Sequence, residues 1–520
     1  NINYLFTISS EREAEGESAI ANYEEFVNLC NRYLENYPTD ENAYEINSAL
    51  AFVLDTKLSR FEEAFTEYIR VSNDYLETNH QLDAAVNAIN AADTLVKIAR
   101  AADDPTVLDG DQLANRLPSK DLSPEENLLA EAYDNFIKLF PDSPETPAVL
   151  AAAGALYYNH RQFDLAKKYY KTMVTKFPGA QQKSIGLISL MNSYFFLGQY
   201  RDAEVVAKKI LTTPDIPTEQ IEIAKNRIGE SIYKNGEKLE QEERYLEAAK
   251  EYIRVYEEAS EYVTFVDLSL FKGARNYEQA DEWLRAIETY ELLVNNFPQS
   301  KQVLPALNNI AADYKELEDF LNVARTNERI FDTFPGTKEA ENALFNASLF
   351  YDKAEAWQEA IRANNVYIKS YPSNPESKDL LFENAKYYLK LDDLASANQI
   401  YEEFASLYPN DPLTVEAFYN RGVYYFDQND FNLAKAEFNK AIDRSNNFAR
   451  AGRDPNLFFA AEANYKLGEI LYTEYKGITL GYPQQQLRAA LDRKRNKLDE
   501  VQETFTRVIG LGSIRSFEAM

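Results

Sequence analysis

The stretch "ALFNASLFYDKAEAWQEAIRANNVYIKSYP", residues 343–372, decides the fold. Its apolar side chains recur at three- and four-residue steps over two runs of roughly a dozen residues, the pattern of two amphipathic helices. Two such helices joined by a short turn form an antiparallel hairpin. Small Ser348 and Ala360 stand where the helices approach closest, and Tyr351 fills the space between them. Pro372 lacks an amide hydrogen and clashes with the preceding turn, so the second helix ends there. Beyond it, Asn374 offers an N-cap oxygen, Pro375 takes the first helical turn and Glu376 complements the positive end of the next helix.

This joint recurs. An aromatic followed by Pro stands at Phe140-Pro141, Phe177-Pro178, Phe297-Pro298, Phe334-Pro335, Tyr371-Pro372 and Tyr408-Pro409, and the last four prolines are 37 residues apart. "FPDSPE" (140–145) and "YPNDPL" (408–413) repeat its chemistry. The same period aligns Tyr157, Tyr194, Tyr277, Tyr314, Tyr351, Tyr388 and Tyr425, except for 83 residues between Tyr194 and Tyr277, one extra unit with a nine-residue insertion. Nine residues after each Tyr stands Ala166, Ala203, Ala286, Val323, Ala360, Ala397 or Ala434. Three before it stands Gly154, Met191, Ala274, Ala311, Ser348, Ala385 or Gly422. A large side chain at these positions would hold the paired helices apart.

These small residues, the Tyr near the end of the first helix, the Ala opening the second and the Pro after it resemble the tetratricopeptide repeat. The resemblance covers most of the chain and is best from about Pro147 to Asn446. The "Y/F-P-x-[SD]-P" joints and long period look more like its bacterial envelope members, such as the Tol-Pal coordinator and the lipoprotein of the outer-membrane barrel assembly machine. It implies an all-α, right-handed superhelical solenoid of stacked antiparallel helix hairpins. Along the chain, residues 1–100 read as divergent helical repeats, 101–122 as an acidic loop insertion and 123–446 as the regular array. Residues 447–520 read as C-terminal helices continuing beyond the chain end, with one from about Pro455 to Tyr475 and a long charged one from about Gln484 to Ile509.

Composition narrows the function. The 520 residues exceed what one compact core supports, and 45% of them are hydrophobic, with 36 Tyr and 30 Phe. A net charge of -29 argues against nucleic acid, whose binders must neutralise phosphates. No apolar run is long enough to span a bilayer. His80, His160 and Cys30 fall in separate units, without the spacing of an acid–base pair or nucleophile triad, and the two histidines read as helix-end or surface residues. "LDGD" around Asp109 and Asp111 lacks the full calcium-loop pattern and reads as a solvated loop. No catalytic residue, cofactor or metal is expected.

The resemblance implies that first helices line a binding face. One position on that face reads Ala151, Ile188, Phe271, Asn308, Phe345, Phe382 and Tyr419; the next reads Ala155, Asn192, Arg275, Ala312, Leu349, Lys386 and Val423. The Lys/Asn/Arg set with which co-chaperone members grip a peptide carboxylate is missing. Phe271, Arg275, Asn308, Phe345, Phe382, Lys386 and Tyr419 are the candidate partner-binding residues, and their aromatics either form an apolar stripe for a partner or complete packing within the superhelix. A basic island, Arg488, Arg493, Lys494, Arg495 and Lys497, is either a docking patch for an acidic partner or anionic lipid, or a solvated helix face. The expected function is a non-catalytic scaffold binding other proteins of a multi-subunit assembly in a bacterial periplasm or cell envelope. The alternatives are a peripheral adaptor that contacts an anionic membrane or polymer through the basic helix, and the non-catalytic arm of a larger protein.

Overall fold

The computed structural model describes residues 2–14, 18–75, 80–102, 118–482, 484–512 and 514–520. Among the described residues it contains helices and no strands. The helices fall into two compact units, residues 1–280 and 281–520. The first holds α1 (Ile2–Ala14), α2 (Ile20–Asn36), α3 (Ala43–Thr56), α4 (Phe61–Asp74), α5 (Gln81–Ala102), α6 (Pro124–Leu139), α7 (Thr146–Asn159), α8 (Phe163–Lys176), α9 (Lys183–Phe196), α10 (Tyr200–Thr212), α11 (Thr218–Gln241), α12 (Tyr245–Ala259) and α13 (Val266–Gln279). The second holds α14 (Trp283–Asn296), α15 (Val303–Glu316), α16 (Phe320–Thr333), α17 (Lys338–Lys353), α18 (Trp357–Ser370), α19 (Pro375–Lys390), α20 (Leu394–Leu407), α21 (Leu413–Asp427), α22 (Phe431–Arg450), α23 (Leu457–Gly477), α24 (Gln484–Gly510) and α25 (Ser516–Ala519). Within each unit every helix packs on the one before it, the local pattern of a helical-repeat array.

Size matching across the hairpin sets how closely two helices approach. The position three before each register tyrosine faces the one sixteen residues further on. A Cβ added at Gly154 would lie 2.8 Å from the Tyr170 ring, and one at Gly422 would lie 2.5 Å from the Phe438 ring. Where the first helix carries buried Met191, its counterpart is buried Ala207, so large and small have changed sides. In the hairpin of α17 and α18 both partners are polar: the Ser348 hydroxyl donates to Asn364 Oδ1, and Asn364 Nδ2 donates to Asn384 Oδ1 at 2.8 Å. Tyr351 and Ala360 are buried in the same core.

The turn inside each hairpin is also periodic. Four residues after the register tyrosine the backbone turns left-handed, at Arg161, Gly198, Asp281, Glu318, Glu355, Asp392 and Asn429. The next amide returns to the tyrosine carbonyl, as from Ala356 to Tyr351 at 2.9 Å, which satisfies a carbonyl at the helix end. Only one of these seven left-handed residues is Gly, so the motif is invisible to a search for turn glycines.

The joint between hairpins differs from expectation in one respect. Asn374 is the N-cap residue of α19 and Pro375 opens the helix, but the Asn374 side chain makes no cap bond. Its Nδ2 donates to Glu341 Oε1 (2.6 Å) and the Tyr367 hydroxyl (2.9 Å), which ties the joint to the preceding hairpin. Ser377 Oγ then donates to the Tyr371 carbonyl at 2.6 Å, as Thr146 Oγ1 does to Phe140 at 2.5 Å. A hydroxyl six residues after the aromatic thus closes the previous helix.

The nine-residue insertion lies in α11, which has 24 residues where α7, α9 and α13 have 14 each. Toward its middle Arg227 stacks over the Phe195 ring at 4.1 Å; near its end Tyr252 of α12 packs on Gly236 and donates to Glu240 at 2.6 Å. Of the acidic interruption at 101–122, residues 103–117 lie outside the described residues, with Asp109 and Asp111 among them. Its last residues are tied to the end of α7, through Lys120 N to the His160 carbonyl (2.9 Å) and Gln162 Nε2 to the Lys120 carbonyl (2.7 Å).

Candidate interaction surface

First helices of successive hairpins touch one another in both units, α7 with α9, α9 with α11, and α21 with α23. They therefore share one side of the stack, the side expected to meet partners.

The structure redistributes the expected stripe. In the second unit, Phe382 is 1% exposed and packs in the α19–α20 core against Tyr401 (5.5 Å between ring centres) and Phe404 (4.9 Å). At that burial it is no contact for a partner, and Ala385 and Ala397 pack in the same core. Phe345 is half-buried, with its ring 5.9 Å from Tyr367 of α18. Tyr419 is half-buried between Phe438 (6.1 Å) and Phe459 (5.5 Å), and burial pushes its hydroxyl up to about 12. In the first unit Phe271 is half-buried on α13, and Arg275, exposed one turn on, pairs with Glu278 at 3.1 Å. Phe345, Phe382 and Tyr419 thus pack chiefly against helices of their own array.

Other side chains of this face remain open. Asn308 on α15 is exposed, and Leu349 on α17 is 44% exposed. Lys386 on α19 pairs with Glu383 at 2.7 Å and lies 5.3 Å over the Phe382 ring. Burial pushes the carboxyl of Glu416, on the next first helix, upward against the opposing charge of Lys386. The resulting strip is apolar at Leu349 and the edge of Phe345, with polar groups on either side.

The basic island does not form a patch. Lys494 and Lys497 turn inward to α23: Lys494 donates to the Ile478 carbonyl (3.1 Å) and lies over Tyr475, and Lys497 pairs with Glu474 (3.1 Å) and Glu500 (2.6 Å). Arg488 and Arg495 are exposed, but Asp492 and Asp499 follow each of them by four residues on the same helix face. Arg493 lies on another face. The spacing of one helical turn divides charges that sequence proximity had grouped.

The groups considered for catalysis are separated and engaged. Cys30 is buried, and burial, with Glu67 adding, pushes its thiol up to about 12, far from a thiolate nucleophile. His80 is exposed and stacks on Tyr44. His160 ends α7 as expected, yet a partner 34 positions away was not legible: its Nε2 lies 2.9 Å from Glu126 Oε2, and its Nδ1 lies 2.9 Å from the Leu156 carbonyl. Glu126 also accepts from the Ser123 amide and Arg100, both at 2.9 Å. Burial raises its carboxyl, but the Ser123 bond, Arg100 and His160 outweigh it and the net direction is down. These contacts clamp α5, α6 and α7 together. Among the described residues, no group of acidic, His or Cys side chains could hold a metal, and no helix is long and apolar enough to cross a membrane.

Comparison with known proteins agrees with the repeat reading. Residues 337–474 match the YfiO family, described as an outer membrane lipoprotein, and residues 268–300 match a tetratricopeptide-repeat family. No curated protein matches the chain. Among solved structures, Naa15/Naa10 bound to HypK-THB is 15% identical over 98% of this chain and 83% of that one, with a TM-score of 0.26. Nearly identical TPR-like repeats assigned to a kinesin light chain of Podosopora anserina are 13% identical over 36% of this chain and 99% of that one, with a TM-score of 0.23. At these scores neither likeness bears on function.

Proposed function

Because this chain is a tetratricopeptide-repeat protein, we propose that it is a non-catalytic scaffold that binds other proteins along its first-helix side. The observation that carries this reading is the contrast between a tightly filled hairpin interior and a first-helix face that keeps Asn308, Leu349 and the edge of Phe345 open. Binding of this kind sums modest contacts over several repeats, with affinity concentrated at a few apolar anchors and polar groups setting register. The family match over residues 337–474 supports an assembly role in a bacterial cell envelope or periplasm. The boundaries that go with this reading are divergent repeats at 1–100, the regular array at 123–446 and C-terminal helices at 447–520.

The test is copurification from the source organism in mild detergent, comparing the native chain with Leu349→Asp/Asn308→Asp. A defined protein set that is retained by the native chain and lost from the folded variant supports the proposal. Retention of the whole set by the variant refutes the first-helix side as the binding surface.

A further inference from the structure

The charge of this acidic chain is reversed over one short stretch. Between Arg161 and Lys209 stand nine Lys or Arg and only three Asp or Glu, whereas the chain as a whole carries -29. The stretch contains two successive second helices of the first unit, α8 and α10.

Several of these cations are engaged. Arg201, Lys208 and the carboxylate of Glu204 face α12, as the pairs Arg201–Glu251 (2.7 Å), Lys208–Glu258 (2.7 Å) and Arg254–Glu204 (2.6 Å). That fixes one flank of α10. Lys209 is rotated a further 100° around the helix, toward the opposite flank and α8. On α8, Lys167 reaches Gln199 at the head of α10, with Nζ 3.2 Å from Oε1, so its flank faces α10. Lys171 is one turn beyond Lys167 on that flank, and Lys168, on the open face, has its Nζ 5.4 Å over the Tyr169 ring. Lys168, Lys171 and Lys209 are exposed, and among the described residues none of them forms an ion pair. Exposed Val205 (66%) stands one turn before Lys209 on α10.

We propose that the furrow between α8 and α10 docks an acidic segment of a partner protein. Charge complementarity argues for an acidic ligand, and the surroundings argue for a narrow one. Asp142 is exposed beside the end of α8, and Glu257 and Glu258 are exposed on α12. A flat anionic bilayer would press on these carboxylates as well as on the lysines. A single strand or helix passes between them. Helices of this length span about 20 Å, which an extended segment of about six residues matches. Val205 offers its apolar side chains contact, and the lysines pair with its carboxylates. The site is independent of the first-helix strip, so the two readings stand or fall separately.

The experiment uses the full chain, fluorescein-labelled hexaglutamate and, separately, vesicles of phosphatidylcholine mixed with phosphatidylglycerol. Hexaglutamate is expected to bind at low ionic strength and to be released by salt. Lys168→Glu/Lys171→Glu/Lys209→Glu is expected to weaken it by about tenfold or more. Arg488→Glu/Arg493→Glu/Arg495→Glu makes the same change in net charge and is expected to leave binding unaltered. Helicity of both variants checks folding. The proposal is overturned if hexaglutamate fails to bind, if the two variants weaken it equally, or if vesicles bind and the peptide does not.

Discussion

Exchanging the sizes of Gly422 and Phe438 tests the rule that spaces every hairpin. A Cβ at position 422 would sit 2.5 Å from two atoms of the Phe438 ring, which is fully buried. Gly422→Met gains about 1 kcal/mol of helix propensity. Against that, forcing a long side chain into a filled core costs about 1–3 kcal/mol, and more where a buried ring must move. The expected net loss is about 2 kcal/mol. Phe438→Ala alone leaves a cavity and costs about 3–5 kcal/mol. Together the two changes rebuild the arrangement of Met191 and Ala207, both buried in the first unit. The double variant should therefore recover at least about 2 kcal/mol relative to the sum of the singles. The assay is hydrogen exchange of peptides from α21 and α22, which reports local opening free energies where a long array does not unfold in one step. Losses that add to within about 0.5 kcal/mol would refute size matching as the cause of the spacing.

Asn364→Leu should destabilise α17–α19 by about 1–3 kcal/mol, because buried Ser348 and Asn384 lose their shared partner; exchange in peptides spanning 338–390 measures it, and unchanged protection would contradict the polar core. Asp392→Gly should stabilise its hairpin by up to about 1 kcal/mol, since Asp392 holds a φ of 58° that Gly adopts freely; a lower melting midpoint would show that its side chain matters more. Acid should loosen the α10–α12 pairing through Glu258, whose carboxyl is held at about 2 by its hydrogen bond to Arg254, against burial and with help from Lys208. Its folded value lies below the unfolded one of about 4.3, so the stabilisation is complete above that pH and fades toward pH 2. Arg254→Gln should flatten this dependence, and an unchanged acid profile of α12 exchange would count against the pairing.

The sequence carried the hairpins well because their determinants are local. Small residues and tyrosines at a fixed period state which faces meet, and a proline after an aromatic states where each helix ends. The candidate surface was less legible, because position on a helix does not fix how far the next helix closes over it. Phe345 and Phe382 are equivalent in register, yet beside Phe382 the second helix closes completely over the ring, while Phe345 keeps an edge open. The basic island failed for a related reason: adjacent residues point in different directions, so Lys494 and Lys497 turn inward while Arg488 and Arg495 share a face with Asp492 and Asp499. The lysines of α8 and α10 are the converse case: Lys171 and Lys209 are 38 residues apart in sequence, and only the return of α10 beside α8, marked by the Lys167–Gln199 contact, turns them toward each other. The Glu126–His160 contact likewise required the return of α7 against the start of α6.

The most direct test of the scaffold reading is photo-crosslinking in the source organism, with benzoylphenylalanine placed singly at Leu349 on the first-helix side and at Leu407 at the end of a second helix. Both sites are exposed, at 44% and 58%, so reactivity alone does not favour the first. The account predicts a discrete set of protein adducts from position 349 and none of that set from position 407. Adducts from 407 alone, or none from 349 in cells where the chain is folded and assembled, would contradict it.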